Sequence, residues 1–115
     1  MTKFGSVLIQ LATVDSTNNY AANLIQQGSC QDGSVIMADY QTMGRGQRGN
    51  SWQSVSGENL MFSIAFKSRL SIDQQIRISW YSAIIWQQCL LRFGIDAQIK
   101  WPNDLYVRGR KIGGI

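Results

Sequence analysis

The sequence predicts a mixed α+β fold (α/β mixed), with short strands alternating with two helices. Three observations carry that expectation. Two stretches, 15–28 and 71–94, open with helix-capping residues and close at glycine. Runs at 6–11, 35–38, 59–66 and 97–101 have the apolar content or alternation of strands. A last pair, 105–107 and 110–112, is joined by Arg108-Gly109, which suits a tight hairpin.

In chain order, the strand at 6–11 leads into Asp15-Ser16-Thr17-Asn18-Asn19, a cluster of capping side chains. A helix over 17–27 follows, with Ala21, Leu24 and Ile25 as its apolar stripe and Gly28 as its stop. Ser16 to Asn19 read either as caps alone or as caps that also bind a polar ligand at the positive helix end. The continuous apolar run 35–38 suits a strand buried on both faces. In 59–66, Leu60, Phe62, Ile64 and Phe66 point one way, Met61 and Ala65 the other. Ser71 and Gln74 form a capping-box signature for a helix reaching Phe93. Its wide apolar arc, with Ile76, Trp80, Ile84, Ile85 and Trp86, predicts a largely buried helix with both tryptophans in the core. Pro102 holds Trp101 extended and ends the next strand, and Asn103-Asp104 is a turn pair.

Composition narrows the chemistry. A chain of 115 residues with no repeat or linker suggests one domain. Its formal charge of +4 suits an anionic ligand but does not imply nucleic acid without clustering. There is no histidine, which excludes Ser-His and Cys-His nucleophiles and histidine-bound metals. Cys30 and Cys89 lack a CxxC pattern and read as two thiols rather than a disulfide or zinc site. No apolar run is long enough to span a membrane and no signal segment precedes the first strand, so a cytoplasmic protein is expected.

Residues 44–50, Gly-Arg-Gly-Gln-Arg-Gly-Asn, closed by Ser51 and Trp52, hold the densest signal. Backbone N–H groups freed by glycine and the forks of Arg45 and Arg48 can converge on phosphate or carboxylate oxygens. The segment reads as an anion-wrapping loop or as a basic surface loop. Repulsion between its arginines disfavours closure without a ligand, so a mobile loop is expected in the free protein.

Four pieces stand in order: Ser16-Thr17-Asn18, Gly44 to Gly49, Lys100-Trp101-Pro102-Asn103-Asp104, and Arg110-Lys111-Ile112-Gly113-Gly114-Ile115. In this spacing they resemble biotin protein ligases (biotin–[acetyl-CoA-carboxylase] ligases), from Ser16 to the last residue. The resemblance implies a class II aminoacyl-tRNA synthetase-like fold: a mixed, mainly antiparallel sheet with packed helices. It implies ATP-dependent conversion of biotin to biotinyl-5'-adenylate, with Mg2+, and transfer to a lysine of a biotin carboxyl carrier protein. Ser16, Thr17, Asn18, Gln41, Gly44, Arg45, Gly46, Gln47, Lys111 and Gly113 would contact biotin. Arg48, Asn50, Trp52, Lys100, Asn103 and Asp104 would contact ATP, with Asp104 on the magnesium side. Lys111, Arg45 and Arg48 would be the catalytic cations.

Gln47 and Asn50 stand where many family members carry arginine, which loosens the expected hold on the adenylate. The resemblance also implies that residues 1–115 are the N-terminal part of a catalytic domain. The rest of that domain and a small β domain would follow, and no helix-turn-helix precedes. Such a fragment is expected to have little or no activity alone, no membrane or nucleic-acid partner, and a possible homodimeric state. Lipoate ligases and octanoyltransferases share the fold and are the nearest alternative. A small basic nucleic-acid-binding module, with Trp52 and Trp101 as stacking platforms, is the other.

Overall fold

The structure, a computed structural model, describes residues 1–115 apart from the side chain of Gln47. The chain divides into two compact units, Met1–Ser68 and Arg69–Ile115.

The first unit contains β1 (Leu8–Val14), α1 (Thr17–Gln26), β2 (Ser34–Gln41) and β3 (Met61–Ala65). β2 is the central strand, parallel to β1 and antiparallel to β3. A parallel pair needs a crossover, and α1 supplies it, packing on β2 and β3. Ala21 of α1 meets Ile36 and Ala65 in a core flanked by Ile9, Leu11, Tyr20 and Leu24. Asp32 fastens the entry to β2: its carboxylate accepts from Thr2 Oγ1 at 2.6 Å and from the Lys67 N–H at 2.6 Å. The Thr2 hydroxyl first, and the Lys67 N–H second, hold its carboxyl below the usual 3.8.

The second unit contains α2 (Ile72–Arg92), β4 (Gln98–Lys100), β5 (Asp104–Val107) and β6 (Arg110–Gly114), the strands forming an antiparallel meander. Gln74 Oε1 accepts from the Ser71 N–H at 3.2 Å, completing the capping box. Ala83, Ala97 and Leu105 are the buried apolar residues of this unit, and Gln87 Nε2 donates to the Ala97 carbonyl at 2.8 Å. The β5–β6 hairpin turns at Arg108 (φ 50°) and Gly109 (φ 74°), two successive left-handed residues as a type I′ turn requires. A bulge follows between Leu105 and Tyr106.

The sheets are mixed and mainly antiparallel, as expected, but three local expectations need correction. The run at 35–38 is not buried on both faces. Ser34, Ile36 and Ala38 are buried while Val35 and Met37 are half-buried, because α1 covers one side of β2 only. The stripe on α1 shifts by one position: Ile25 is exposed and Tyr20 joins the core. Finally, α2 is not largely buried. Ala83 is its one buried residue, and Trp80 is 41% exposed, because β4 and β5 are too short to cover the whole apolar arc. Trp86 is half-buried. Among the described residues, no helix is long and apolar enough to cross a membrane.

Candidate functional site

In the first unit the expected residues gather at the N-terminus of α1. An α-helix leaves its first N–H groups without intrahelical partners, and here side chains meet them. Ser16, the buried N-cap, accepts the Asn19 N–H on Oγ at 3.1 Å. Gln41, at the end of β2, accepts the Thr17 N–H on Oε1 at 2.8 Å. Thr17 Oγ1 lies 2.8 Å from Ser63 Oγ, and Ser63 donates to Asn18 Oδ1.

Arg45 joins the same cluster. Its Nη2 donates to Asn19 Oδ1 at 2.7 Å, and Asn19 Nδ2 donates to Asp15 Oδ2 at 3.1 Å. The Asn19 amide first, then the Ser16 N–H, hold the Asp15 carboxyl below its ordinary range, with the Arg45 charge a smaller contribution. Arg45 is thus linked through a neutral amide to a carboxylate.

The glycine-arginine loop closes on itself. Gly46 N–H donates to the Asn50 carbonyl at 2.6 Å and Trp52 N–H to the Gly44 carbonyl at 2.8 Å. Arg45 and Ser51 form an isolated bridge, and a single 3₁₀ turn, Gln47–Gly49, makes the apex. Backbone pairing within the loop and the Arg45–Asn19 contact hold the two arms of the loop together. Gly44 is needed where it stands, because a Cβ there would lie 2.4 Å from the Trp52 carbonyl oxygen. A cleft of about 300 Å³ opens beside it, lined by Tyr40, Gln41, Thr42, Met43, Gly44, Ser51, Trp52, Gln53 and Ser54. Arg45, Gly46, Arg48 and Asn50 stand outside that lining. Arg48, at φ 55°, is exposed at the apex. The side chain of Gln47 lies outside the described residues.

In the second unit, one face of the meander carries the charge. Lys100 on β4 lies directly opposite Asp104 on β5, and Tyr106 pairs with Lys111 on β6. Lys111 Nζ is 2.9 Å from Asp104 Oδ1. Lys100 Nζ sits 5.6 Å from the Tyr106 ring centroid, a cation–π distance. One carboxylate between two ammonium groups leaves this face net cationic.

Asn103 is buried, its Nδ2 donates to the Ile115 carbonyl at 3.2 Å, and its own backbone carbonyl accepts the Ile115 N–H at 2.9 Å. Gly113 lies opposite Leu105 with open space where a Cβ would stand.

Asp104 is paired with Lys111, and among the described residues no three His, Cys, Asp or Glu side chains gather around a common point, so a magnesium ion here would rest on one carboxylate and the nucleotide's own phosphates. Sequence reasoning missed Ser63 and Tyr106, and it did not foresee that Asn19 bridges Arg45 and Asp15. A hydroxyl inside the apolar run 61–66 was the available signal for Ser63. Tyr106 could have been found from its place in the strand preceding the hairpin.

A family model described as the biotin/lipoate A/B protein ligase family matches residues 11–115. The bifunctional ligase/repressor BirA of Escherichia coli (strain K12) is 38% identical over 112 residues, covering 96% of this chain and 34% of the relative. This chain thus spans about a third of that relative's length. Among solved structures, the biotin acetyl coenzyme A carboxylase synthetase of Helicobacter pylori, with bound biotinylated ATP, superposes with a TM-score of 0.78 at 27% identity, covering 93% of this chain and 52% of the other. The biotin protein ligase of Aquifex aeolicus, in complex with biotin and ATP, gives 0.67 at 28% identity, covering 95% and 45%. The fold is thus that of about half of a class II aminoacyl-tRNA synthetase-like ligase domain. The match over residues 11–115 and these likenesses make the chain a member of the biotin/lipoate A/B protein ligase family.

Proposed function

We propose that the protein activates biotin with ATP to biotinyl-5'-adenylate and transfers the biotinyl group to a lysine of a biotin carboxyl carrier protein. The observation that carries this reading is the family match across residues 11–115, with a relative named as a biotin–[acetyl-CoA-carboxylase] ligase and neighbours holding biotin with ATP or biotinylated ATP. The charge arrangement supports it.

Biotin's carboxylate is deprotonated at neutral pH, so its attack on the α-phosphate needs no general base. What it needs is neutralisation of the charge gathering on the phosphate and on the leaving pyrophosphate. Lys111 is assigned to the α-phosphate, and Arg45 and Arg48 to the adenylate. Lys100, Asn50 and Trp52 are assigned to the nucleotide, Trp52 to the adenine. Ser16, Thr17, Asn18, Gln41 and the backbone of Gly44 and Gly46 are assigned to biotin, with Gly113 giving close backbone approach. Magnesium arrives with the nucleotide. In the second step the carrier lysine's amine attacks the mixed anhydride carbonyl, an amide forms, and AMP leaves.

A support of a different kind comes from size. The chain spans about a third of its relative's length, and α2 leaves Ile72 85% exposed and Ile85 65% exposed. The 115 residues are accordingly assigned to part of a catalytic domain, with little or no ligase activity by themselves.

The test is incubation of the full-length protein with biotin, MgATP and a carboxyl carrier domain, read by intact mass. One biotinyl group should be added, and none to a carrier whose acceptor lysine is arginine. Transfer of lipoate but not biotin would move the protein to the other branch of the fold, and transfer of neither would refute the reading.

A further inference from the structure

Ser63 is a hydroxyl on an otherwise apolar strand face. It stands between buried Met61 and Ala65 on the side of β3 that packs against α1, and it is half-buried. Its Oγ meets two residues of the α1 N-terminus, Thr17 and Asn18, across more than forty positions of chain.

Proton bookkeeping fixes the direction of both contacts. A serine hydroxyl has one proton and two lone pairs. Ser63 gives its proton to Asn18 Oδ1, so Thr17 must be the donor in the 2.8 Å contact between the two hydroxyls. Thr17 is then left as an acceptor only. Asn18 has its oxygen turned to β3, and its Nδ2, without a partner among the described residues, becomes the end offered outward from an exposed side chain. Gln41 is oriented the same way. Its Oε1 takes the Thr17 N–H, and its Nε2 lies on the Gly44 side, 3.1 Å from where a Cβ of that residue would be.

We propose that Ser63 is a positioning residue that sets the hydrogen-bond polarity of this end of the site, holding the Asn18 carboxamide so that it presents a donor to the ligand. Two carboxamides with inward oxygens favour a ligand acceptor, and a ligand that carries a donor at the same atom meets N–H against N–H. An unmatched buried polar group costs more than a made hydrogen bond gains. The inference rests on the biotin reading above, in which the acceptor is the ureido carbonyl oxygen. The informative competitor is 2-iminobiotin, which replaces that oxygen by a protonated nitrogen.

The experiment is calorimetric titration of the full-length protein with biotin and with 2-iminobiotin, reading the ratio of the two dissociation constants. The wild type should favour biotin. In Ser63→Ala the Asn18 amide is released to turn its oxygen outward, so the ratio should fall roughly tenfold, on the scale of one hydrogen bond. Ser63→Thr keeps the hydroxyl and should restore it. Should Ser63→Ala fail to fold, Ser63→Cys, which keeps the size but puts a weak S–H donor in place of the hydroxyl, should lower the ratio in its stead, and an unchanged ratio there overturns the inference. Equal weakening of both ligands, or a changed melting temperature with an unchanged ratio, overturns the inference while leaving the biotin reading intact. Absence of biotin binding by the wild type overturns both.

Discussion

Lys111 and Asp104 meet across the β5–β6 pair with Nζ 2.9 Å from Oδ1, and Lys100 stands opposite the same carboxylate on β4. The lysine and aspartate side chains are 39% and 24% exposed. An ion pair this open contributes at most about 1 kcal/mol to folding. It can therefore hold the ammonium in place in the free protein and yield to a phosphate without a large cost.

Lys111→Ala in the full-length protein should remove about 2–4 kcal/mol of transition-state stabilisation, the scale of one preorganised charge contact. Single-turnover formation of the adenylate reads this directly, and a rate within about twofold of wild type, a change under 1 kcal/mol, would make Lys111 a bystander. Asp104→Asn should lower the unfolding free energy by no more than about 1 kcal/mol. A larger loss would show that the pair is structural.

Gly44 and Gly46 provide a matched comparison. A Cβ at Gly44 would sit 2.4 Å from the Trp52 carbonyl oxygen, whereas at Gly46 the nearest atom is Asn50 Cβ at 3.4 Å. Gly44→Ala should therefore cost about 1–3 kcal/mol in unfolding free energy, the range for forced overpacking. Gly46→Ala should cost well under that. Equal melting temperatures for the two variants would show that the loop relaxes around either methyl.

Local chemistry made much of this legible. The α1 cap, the α2 capping box and the Arg108-Gly109 hairpin depend on neighbours within a few positions, and those residues stood in view. The burial of α2 did not, because an apolar arc states what a helix can bury and not what covers it. Trp80 reads as core from its spacing, yet three- and four-residue strands cannot reach around to it. Of the site, Ser16, Thr17, Gln41 and Arg45 were recognisable by motif, and the structure joins them at one helix end. A hydroxyl in an apolar run marks Ser63 as unusual, but its partners, like the Asn19–Arg45 contact, lie 26 to 46 positions away, and no local pattern names them.

Asp15 and Asp32 both have folded-state pKa values lowered from the ordinary 3.8, chiefly by the Asn19 amide and the Thr2 hydroxyl respectively. A lowered folded value means that the unfolded chain binds protons first as pH falls. Their contribution is fully present above the unfolded value and is lost as pH drops through the folded values, below 3.8. Denaturant midpoints followed downward from about pH 5 should fall in that acid window, and Asp32→Asn should flatten part of the fall. A midpoint that drops equally in wild type and variant would remove Asp32 from the account.

The 115-residue chain alone should show little or no carrier biotinylation beside the full-length protein, and should bind a hydrophobic dye through the exposed side of α2. Robust turnover by the chain alone would contradict both the assignment to part of a domain and the reading of that exposed face.

The most direct measurement of the central claim is biotin-dependent exchange of labelled pyrophosphate into ATP by the full-length protein, with Arg45→Ala and Lys111→Ala beside it. Exchange should require biotin, should not be supported by lipoate, and should be strongly reduced in both variants. Exchange that proceeds with lipoate instead, or that neither substitution slows, would contradict the claim.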